Sequence, residues 1–220
     1  MSELDGKAVM SVPGSAWLRN VEATFDIKLN IIPLNYGLAQ FMADKNFIQQ
    51  CFITNEPFFV QQNGANPKCI LLAQPGYDPY RVVYTSRQFI EEHPERVRAF
   101  AAASIKGWET FLFGDPTAAK ALIASRNENM SEQFMEFSRQ AMLENHLVEG
   151  DATKGERVGV LQRSRLTELA DRLFKWGILR EPIPLDAYVT FEFLTDERKA
   201  LVDSPRLRHN PPRGVRGVLR

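Results

Sequence analysis

The sequence predicts an α/β protein built on parallel strands, and three observations carry that prediction. Short apolar β-type runs alternate with helical patterns from Ala8 to Ala73. Tight-turn residues (Pro13-Gly14-Ser15, Tyr36-Gly37, Asn55-Glu56-Pro57, Pro75-Gly76) stand at the junctions. Beyond Thr85 the pattern turns helical, with no internal repeat. Strand-helix alternation of this kind packs helices over a sheet with parallel or mixed strands.

The first element is an apolar run, Ala8, Val9 and Met10 with Val12, which feeds through Pro13-Gly14-Ser15 into a helix over Ser15–Asp26. Trp17, Leu18, Val21 and Phe25 recur there at helical spacing. A strand-turn-helix order places free backbone N–H groups and the positive end of a helix dipole at the mouth of a turn. Glycine lets a solute approach the backbone, and Ser15 either caps the helix or offers its hydroxyl. A βα connection that binds nothing has the same pattern.

Asn30–Leu34 reads as the second strand and Leu38–Lys45 as a short helix. Phe47–Thr54, FIQQCFIT, reads as a buried strand, and Pro57 suits the first turn of a helix ending at Gly64. Cys69–Ala73, CILLA, and Arg81–Thr85, RVVYT, complete the strand candidates. Ligands of such units gather at the carboxyl ends of the strands. Four turns are therefore expected along one border: Pro13-Gly14-Ser15, Tyr36-Gly37, Asn55-Glu56 and Tyr77-Asp78.

Downstream, Ser86 caps a short helix to His93, and Pro94 opens a longer one closed by Gly114. Val97, Phe100, Ala101, Ser104, Ile105, Trp108, Phe111 and Leu112 form its apolar stripe. Asp115-Pro116 opens a helix to about Ser125, and another spans Ser131 to about Glu144. The last expected helix runs from about Val158 to Trp176, with Gly177 as its stop.

Composition bounds the function. With 44% hydrophobic and 25% charged residues over 220 positions, the chain has ordinary globular content. Its formal charge of zero implies no general attraction to nucleic acid or anionic membrane. After Asp203 the tail holds Arg206, Arg208, Arg213, Arg216 and Arg220 with no acid, so it carries +5 and the remainder −5. With three prolines besides, it is expected to be a disordered, solvated end. No apolar run reaches the roughly 18–20 residues of a bilayer span, and MSELDGKAV is not a secretory signal. Cys51 and Cys69 match no CxxC or zinc spacing and read as two buried free thiols; a disulfide would require adjacent strands and an oxidising compartment.

GKAVMSVPGSAWLR, VQQNG after NEPFF, YDPYRVVYTS and HPERVRAFAAASIKGWE together resemble the periplasmic substrate-binding proteins of ABC importers. The branch is the one that handles nitrate, sulfonates, taurine and thiamine-precursor pyrimidines. The resemblance covers about residues 4–194. It implies a type II periplasmic-binding-protein fold that closes about a hinge on a small solute, with an importer permease as partner. On that pattern residues 1–78 are a second-lobe α/β unit, 79–194 a hinge return strand and helical region, and 195–220 the basic tail. The first lobe, on the order of a hundred residues, would then be incomplete. The isolated chain is accordingly expected to gain little thermal stability from pyrimidines, taurine or nitrate. Localisation is periplasmic by resemblance, or cytoplasmic if the chain as written is the whole product. Oligomeric state is left open.

The site residues expected from motif and strand-end position are Gly14, Ser15, Trp17, Tyr36, Glu56, Tyr77 and Asp78. Gly14 and Ser15 offer N–H and hydroxyl groups. Trp17 is either an aromatic wall or core, and Tyr36 either stacks on a ring or fills a corner. Glu56 either accepts from ligand amino groups or caps the following helix. Asp78 beside Tyr77 has turn chemistry as its alternative, and a Glu56–Asp78 pair would favour an amino-bearing ligand. No catalytic residue, metal or cofactor is expected: His93, His146 and His209 lie in no nucleophile or metal motif. A pyrimidine-forming synthase related to this family uses pyridoxal phosphate and a cysteine-rich iron site, and this chain has no cysteine cluster. A ligand-sensing domain is the third class, and it would need a partner chain to reach DNA.

Overall fold

Three short strands hold the amino-terminal half together: β1 (Ala8–Ser11), β2 (Asn30–Pro33) and β3 (Ile48–Gln49). They form a parallel sheet in the order β2-β1-β3, with Val9 opposite both Ile31 and Ile48, and Met10 opposite Ile32 and Gln49. The computed structural model describes residues 1–74 and 76–203. Central β1 is paired on both edges, and Val9, Met10 and Ser11 are all buried. That follows from parallel pairing, which requires crossovers that cover the sheet.

The crossover from β1 to β2 is α1 (Ala16–Phe25), and that from β2 to β3 contains α2 (Ala39–Ala43). Helix α1 ends at Asp26 in the left-handed conformation, where Asp is tolerated. Its Leu18 and Val21 meet Val9, Ile27 and Leu29 in the main core, with Trp17, Phe25, Ile31, Ile48 and Leu72 packed around them. Each such aliphatic burial contributes about 1.5–3 kcal/mol.

Helix α3 (Glu56–Gln62) leaves β3, α4 (Arg87–Glu92) and α5 (Pro94–Phe113) follow the long connection, and α6 (Thr117–Arg126) leads into α7 (Glu132–Glu144). Ser86 and Ser131 cap α4 and α7 by accepting from the N–H groups of Phe89 and Phe134. Phe58 of α3 lies 5.1 Å from Phe134 and 5.4 Å from Phe137 of α7, an aromatic joint between the sheet unit and the helices. Arg139 of α7 donates to the Phe111 and Leu112 carbonyls at the end of α5 (2.8 and 2.7 Å), satisfying a helix terminus. Helices α8 (Arg163–Lys175) and α9 (Asp196–Val202) complete the described chain.

Several expectations are corrected. Of Phe47–Thr54 only Ile48–Gln49 is strand. Cys69–Ala73 is not a strand: the Leu71 and Leu72 carbonyls accept from Gln74 and Tyr77, turning the run ahead of Gly76. Arg81–Thr85 is not a strand either, and Val82, Val83 and Tyr84 are 51%, 71% and 91% exposed. Apolar, β-branched composition suits a pleated surface, but a strand requires a ladder partner, and neither run has one among the described residues.

The apolar stripe of α5 is buried only at Leu112; Phe100 and Trp108 reach solvent. The expected helix from Val158 starts instead at Arg163, because Gly159 takes φ +80° and Val158–Val160 form a buried turn. Within the segment expected to be tail from 195, the described residues are ordered by a helix. Asp196–Val202 is helical, with Val202 buried and Arg198 bonded to Glu109 at 2.6 Å. The five arginines beyond Asp203, and Pro75, lie outside the described residues. Both cysteines are free, but Cys51 is exposed and Cys69 half-buried, so the expected burial of both is corrected.

Candidate functional site

The carboxyl border of the sheet is organised by a residue that motif reading passes over. Gln50 follows β3, and its backbone N–H donates to the Met10 carbonyl (2.8 Å), extending the β1–β3 ladder. Its side-chain Oε1 accepts from Ser11 Oγ (2.7 Å), the Val12 N–H (3.3 Å) and Trp17 Nε1 (3.2 Å). Three donors on one atom fix that atom as the amide oxygen. One side chain thus ties the end of β1, the turn and the first turn of α1. Its Nε2 keeps two N–H donors with no partner among the described residues.

The turn itself is donor-rich. Gly14 takes φ +79°, and a Cβ there would meet nothing within 4 Å, so its face is open. Ser15 stands at the N-cap position without capping the helix; its hydroxyl donates to the Val12 carbonyl at 2.8 Å. The N–H groups of Gly14, Ala16 and Trp17 carry no hydrogen bond to the described chain. Buried below, Asn20 Nδ2 and Gln49 Oε1 also lack partners among the described residues.

The turn after β2 joins the same border. Gln49 Nε2 donates to the Gly37 carbonyl (3.1 Å), and Asn35 Oδ1 accepts from the Gly37 N–H (2.9 Å). Tyr36 sits at the tip with φ +61°, 82% exposed. Glu56, the first residue of α3, accepts the Phe52 N–H at 2.7 Å and so closes the loop that follows β3. Gly14, Ser15, Trp17, Tyr36 and Glu56 thus all follow strand ends of one three-stranded sheet.

Tyr77 and Asp78 follow no strand among the described residues. Asp78 pairs with Arg165 of α8 at 2.7 Å, and Arg165 also bonds the Asp78 carbonyl (2.9 Å) and Glu156 (3.0 Å) and stacks 3.8 Å from the Tyr80 ring centre. Burial raises the pKa of the Tyr77 hydroxyl. A carboxylate held by a guanidinium is a joint between segments, and here Arg165 shares its one positive charge between Asp78 and Glu156.

The family model described as NMT1/THI5 like matches residues 1–119. The chain belongs to this family. No curated protein and no solved structure matches it. The NMT1/THI5-like match covers the sheet, the Gly14 turn and Gln50, whereas Arg165, the partner of Asp78, lies beyond it. Membership is consistent with substrate binding of the ABC-importer kind, and the mixed α/β architecture is compatible with a periplasmic-binding-like fold. Among the described residues no helix is long and apolar enough to cross a membrane. No group of three or more His, Cys, Asp or Glu that could hold a metal ion occurs among them.

Gln49 and Gln50 were legible in one respect only: two adjacent amides interrupt the otherwise apolar run FIQQCFIT. Polar side chains at the end of a buried strand need partners, and the nearest are the groups of the adjoining turn.

Proposed function

We propose that this NMT1/THI5-like chain is a solute-binding component of an ABC-type importer, taking a small nitrogen- or sulfur-containing solute at the carboxyl border of its sheet. The solute types are a thiamine pyrimidine precursor, a sulfonate such as taurine, or nitrate, and the partner is the importer's membrane permease. The single observation that carries this reading is the open cluster of donors around Gly14: three backbone N–H groups and the Gln50 amide, with α1 directed away from them. Unpaired N–H donors at a helix start suit an oxyanion or carbonyl oxygen. Glu56 and Asp78 are already engaged by the Phe52 N–H and Arg165, which weighs toward the acceptor-bearing end of the solute and away from a purely cationic one. The type II fold and hinge closure belong to the same proposal.

The test is a proton–nitrogen NMR titration with taurine, nitrate and an aminopyrimidine, each to millimolar concentration so that weak binding registers. Saturable shifts are expected at Gly14, Ser15, the Trp17 indole and the Gln50 side chain, and Gln50→Ala should remove them. Shifts confined to other surfaces, or none with any solute, overturn the reading.

A further inference from the structure

Thr167, Ala170, Asp171 and Phe174 recur on α8 at i, i+3, i+4 and i+7, and so share one face of that helix. A face at this spacing ordinarily rests on an apolar partner, but here a carboxylate interrupts it. The chain reverses at Gly177, which takes φ +69°, and returns through Pro182-Ile183-Pro184 into a 3-10 turn, Leu185–Ala187. Arg163 pairs with Asp186 of that turn at 3.1 Å, and Arg87 donates to the Ala187 carbonyl at 3.3 Å. Two arginines thus hold the turn in place.

Between the α8 face and the returning segment lies a cavity of about 50 Å³. By the space that one buried water needs, it takes roughly four water-sized groups. Phe174, Pro182, Ile183, Leu185 and Tyr188 give it aromatic and aliphatic walls, and Asp171 is its one charged lining residue. The Asp171 carboxylate makes no ion pair or hydrogen bond among the described residues. All three arginines of α8 are committed elsewhere: Arg163 to Asp186 and Asp203, Arg165 to Asp78 and Glu156, and Arg172 to the Gly76 carbonyl. Phe174 and Tyr188 both reach solvent, so a small molecule has access. An unpaired carboxylate beside two aromatic rings complements a positive charge carried on an apolar body.

We propose that this cavity binds the methylated ammonium group of a small, free organic cation. Asp171 supplies the opposite charge, the Phe174 and Tyr188 rings supply cation–π attraction, and the aliphatic walls receive the methyl groups. The apolar walls select against a metal ion, which asks for several oxygen ligands. The site shares no residue with the Gly14 border and lies outside residues 1–119. It does not depend on the importer reading.

The test is a proton–nitrogen NMR titration with tetramethylammonium chloride at constant ionic strength, beside tert-butanol as a neutral molecule of similar size. Saturable shifts are expected at Asp171, Phe174 and Tyr188, with a Kd of about 1–10 mM. The response to tert-butanol should be about tenfold weaker or less. Asp171→Asn should preserve the rest of the spectrum and weaken tetramethylammonium about fivefold. Phe174→Ala should weaken it also, whereas Tyr188→Phe, which keeps the ring, should bind like the parent. Gln50→Ala should leave these shifts unchanged, so this site and the solute site fail separately. Equal response to tert-butanol, undiminished binding by Asp171→Asn, or shifts confined to other residues overturn the proposal. A trimethyllysine peptide that binds far more tightly than tetramethylammonium overturns the free cation as the source.

Discussion

Ala8–Ser11 and Arg81–Thr85 are similar in sequence and opposite in fate. Both are short and apolar, and RVVYT is the richer in β-branched residues. Yet the first is the buried centre of a parallel sheet, and the second lies in solvent without a ladder partner among the described residues. The difference teaches that β-propensity reports suitability for a half-buried pleated surface and does not create that surface. For β1 the surface exists because α1 and the adjoining strands cover it. For Arg81–Thr85 the anchors are single side-chain contacts from distant parts of the chain: Arg81 lies 5.2 Å over the Phe52 ring, and Asp78 and Tyr80 are held by Arg165.

The sharpest way to break this comparison is to place the same charge in both runs. Val9→Asp buries a carboxylate at a site 2% exposed, whereas Val83→Asp changes a residue 71% exposed. Chemical denaturation should show Val9→Asp losing about 4 kcal/mol or more, enough to unfold much of the population. Val83→Asp should stay within about 0.5 kcal/mol of the parent. Comparable losses at the two positions would show that Arg81–Thr85 is covered in solution.

A second substitution tests what holds the exposed run. Arg165 is nearly buried, and truncation removes its bonds to Asp78 and Glu156 and its stacking on Tyr80. Glu156, only 9% exposed, then keeps a carboxylate without its cation. Arg165→Ala should cost about 2–3 kcal/mol. Hydrogen exchange should quicken between residues 76 and 86 and leave the β1 amides protected. Equal quickening in β1 would mean that the two regions open as one unit.

How much was legible follows from the same contrast. Turn and cap chemistry is local, so Ser86, Ser131, Pro94 and Gly114 marked helix ends that the fold contains. The parallel alternation from β1 to α3 was also readable, since each element is short and sharply punctuated. Strand pairing is not local. CILLA and RVVYT carry the composition of strands, and nothing within them records the missing neighbour. The stripe of α5 misled in the same way, because spacing gives a face but not what covers it. At the candidate site, Gly14 and Ser15 were visible as a turn signature. Gln50 was not, because its role depends on groups 33, 38 and 39 residues earlier reaching back across the sheet.

Gln50 allows a finer comparison between a structural joint and a binding donor. Gln50→Ala removes the acceptor shared by Ser11, Val12 and Trp17 and should cost about 1–2 kcal/mol. Gln50→Glu keeps the acceptor and removes both free N–H donors. It should therefore retain most of the stability and weaken solute-induced NMR shifts at Gly14. If the Glu variant loses as much stability as the Ala variant, the amide N–H groups are structural.

The smallest expected effect separates the apolar sheet unit from the charged helical one by pH. Lys120 of α6, 7% exposed, donates to Glu132 (2.7 Å) and Glu136 of α7, a clamp with no counterpart in the sheet core. Hydrogen bonds from Lys120, then Gln140, hold the Glu136 carboxyl at about 2 against an ordinary value of 4.5. The unfolded chain therefore binds this proton more readily than the folded chain. The contribution is complete above about pH 4.5 and disappears as pH falls toward about 2. Lys120 shifts upward through bonds to Glu132 and Glu136, so its contribution is present below 10.5 and fades as pH rises through its folded value. Glu136 is 39% exposed, and solvent screening limits its share to about 1 kcal/mol or less. The gap between wild type and Glu136→Gln should be constant above pH 5 and close between about 4.5 and 2. Hydrogen exchange over the same acid range should loosen α6 and α7 before β1, since Val9, Leu18 and Val21 hold the centre of the sheet unit through apolar packing. A pH-independent gap, or simultaneous loosening of β1, would place the acid-sensitive contact elsewhere.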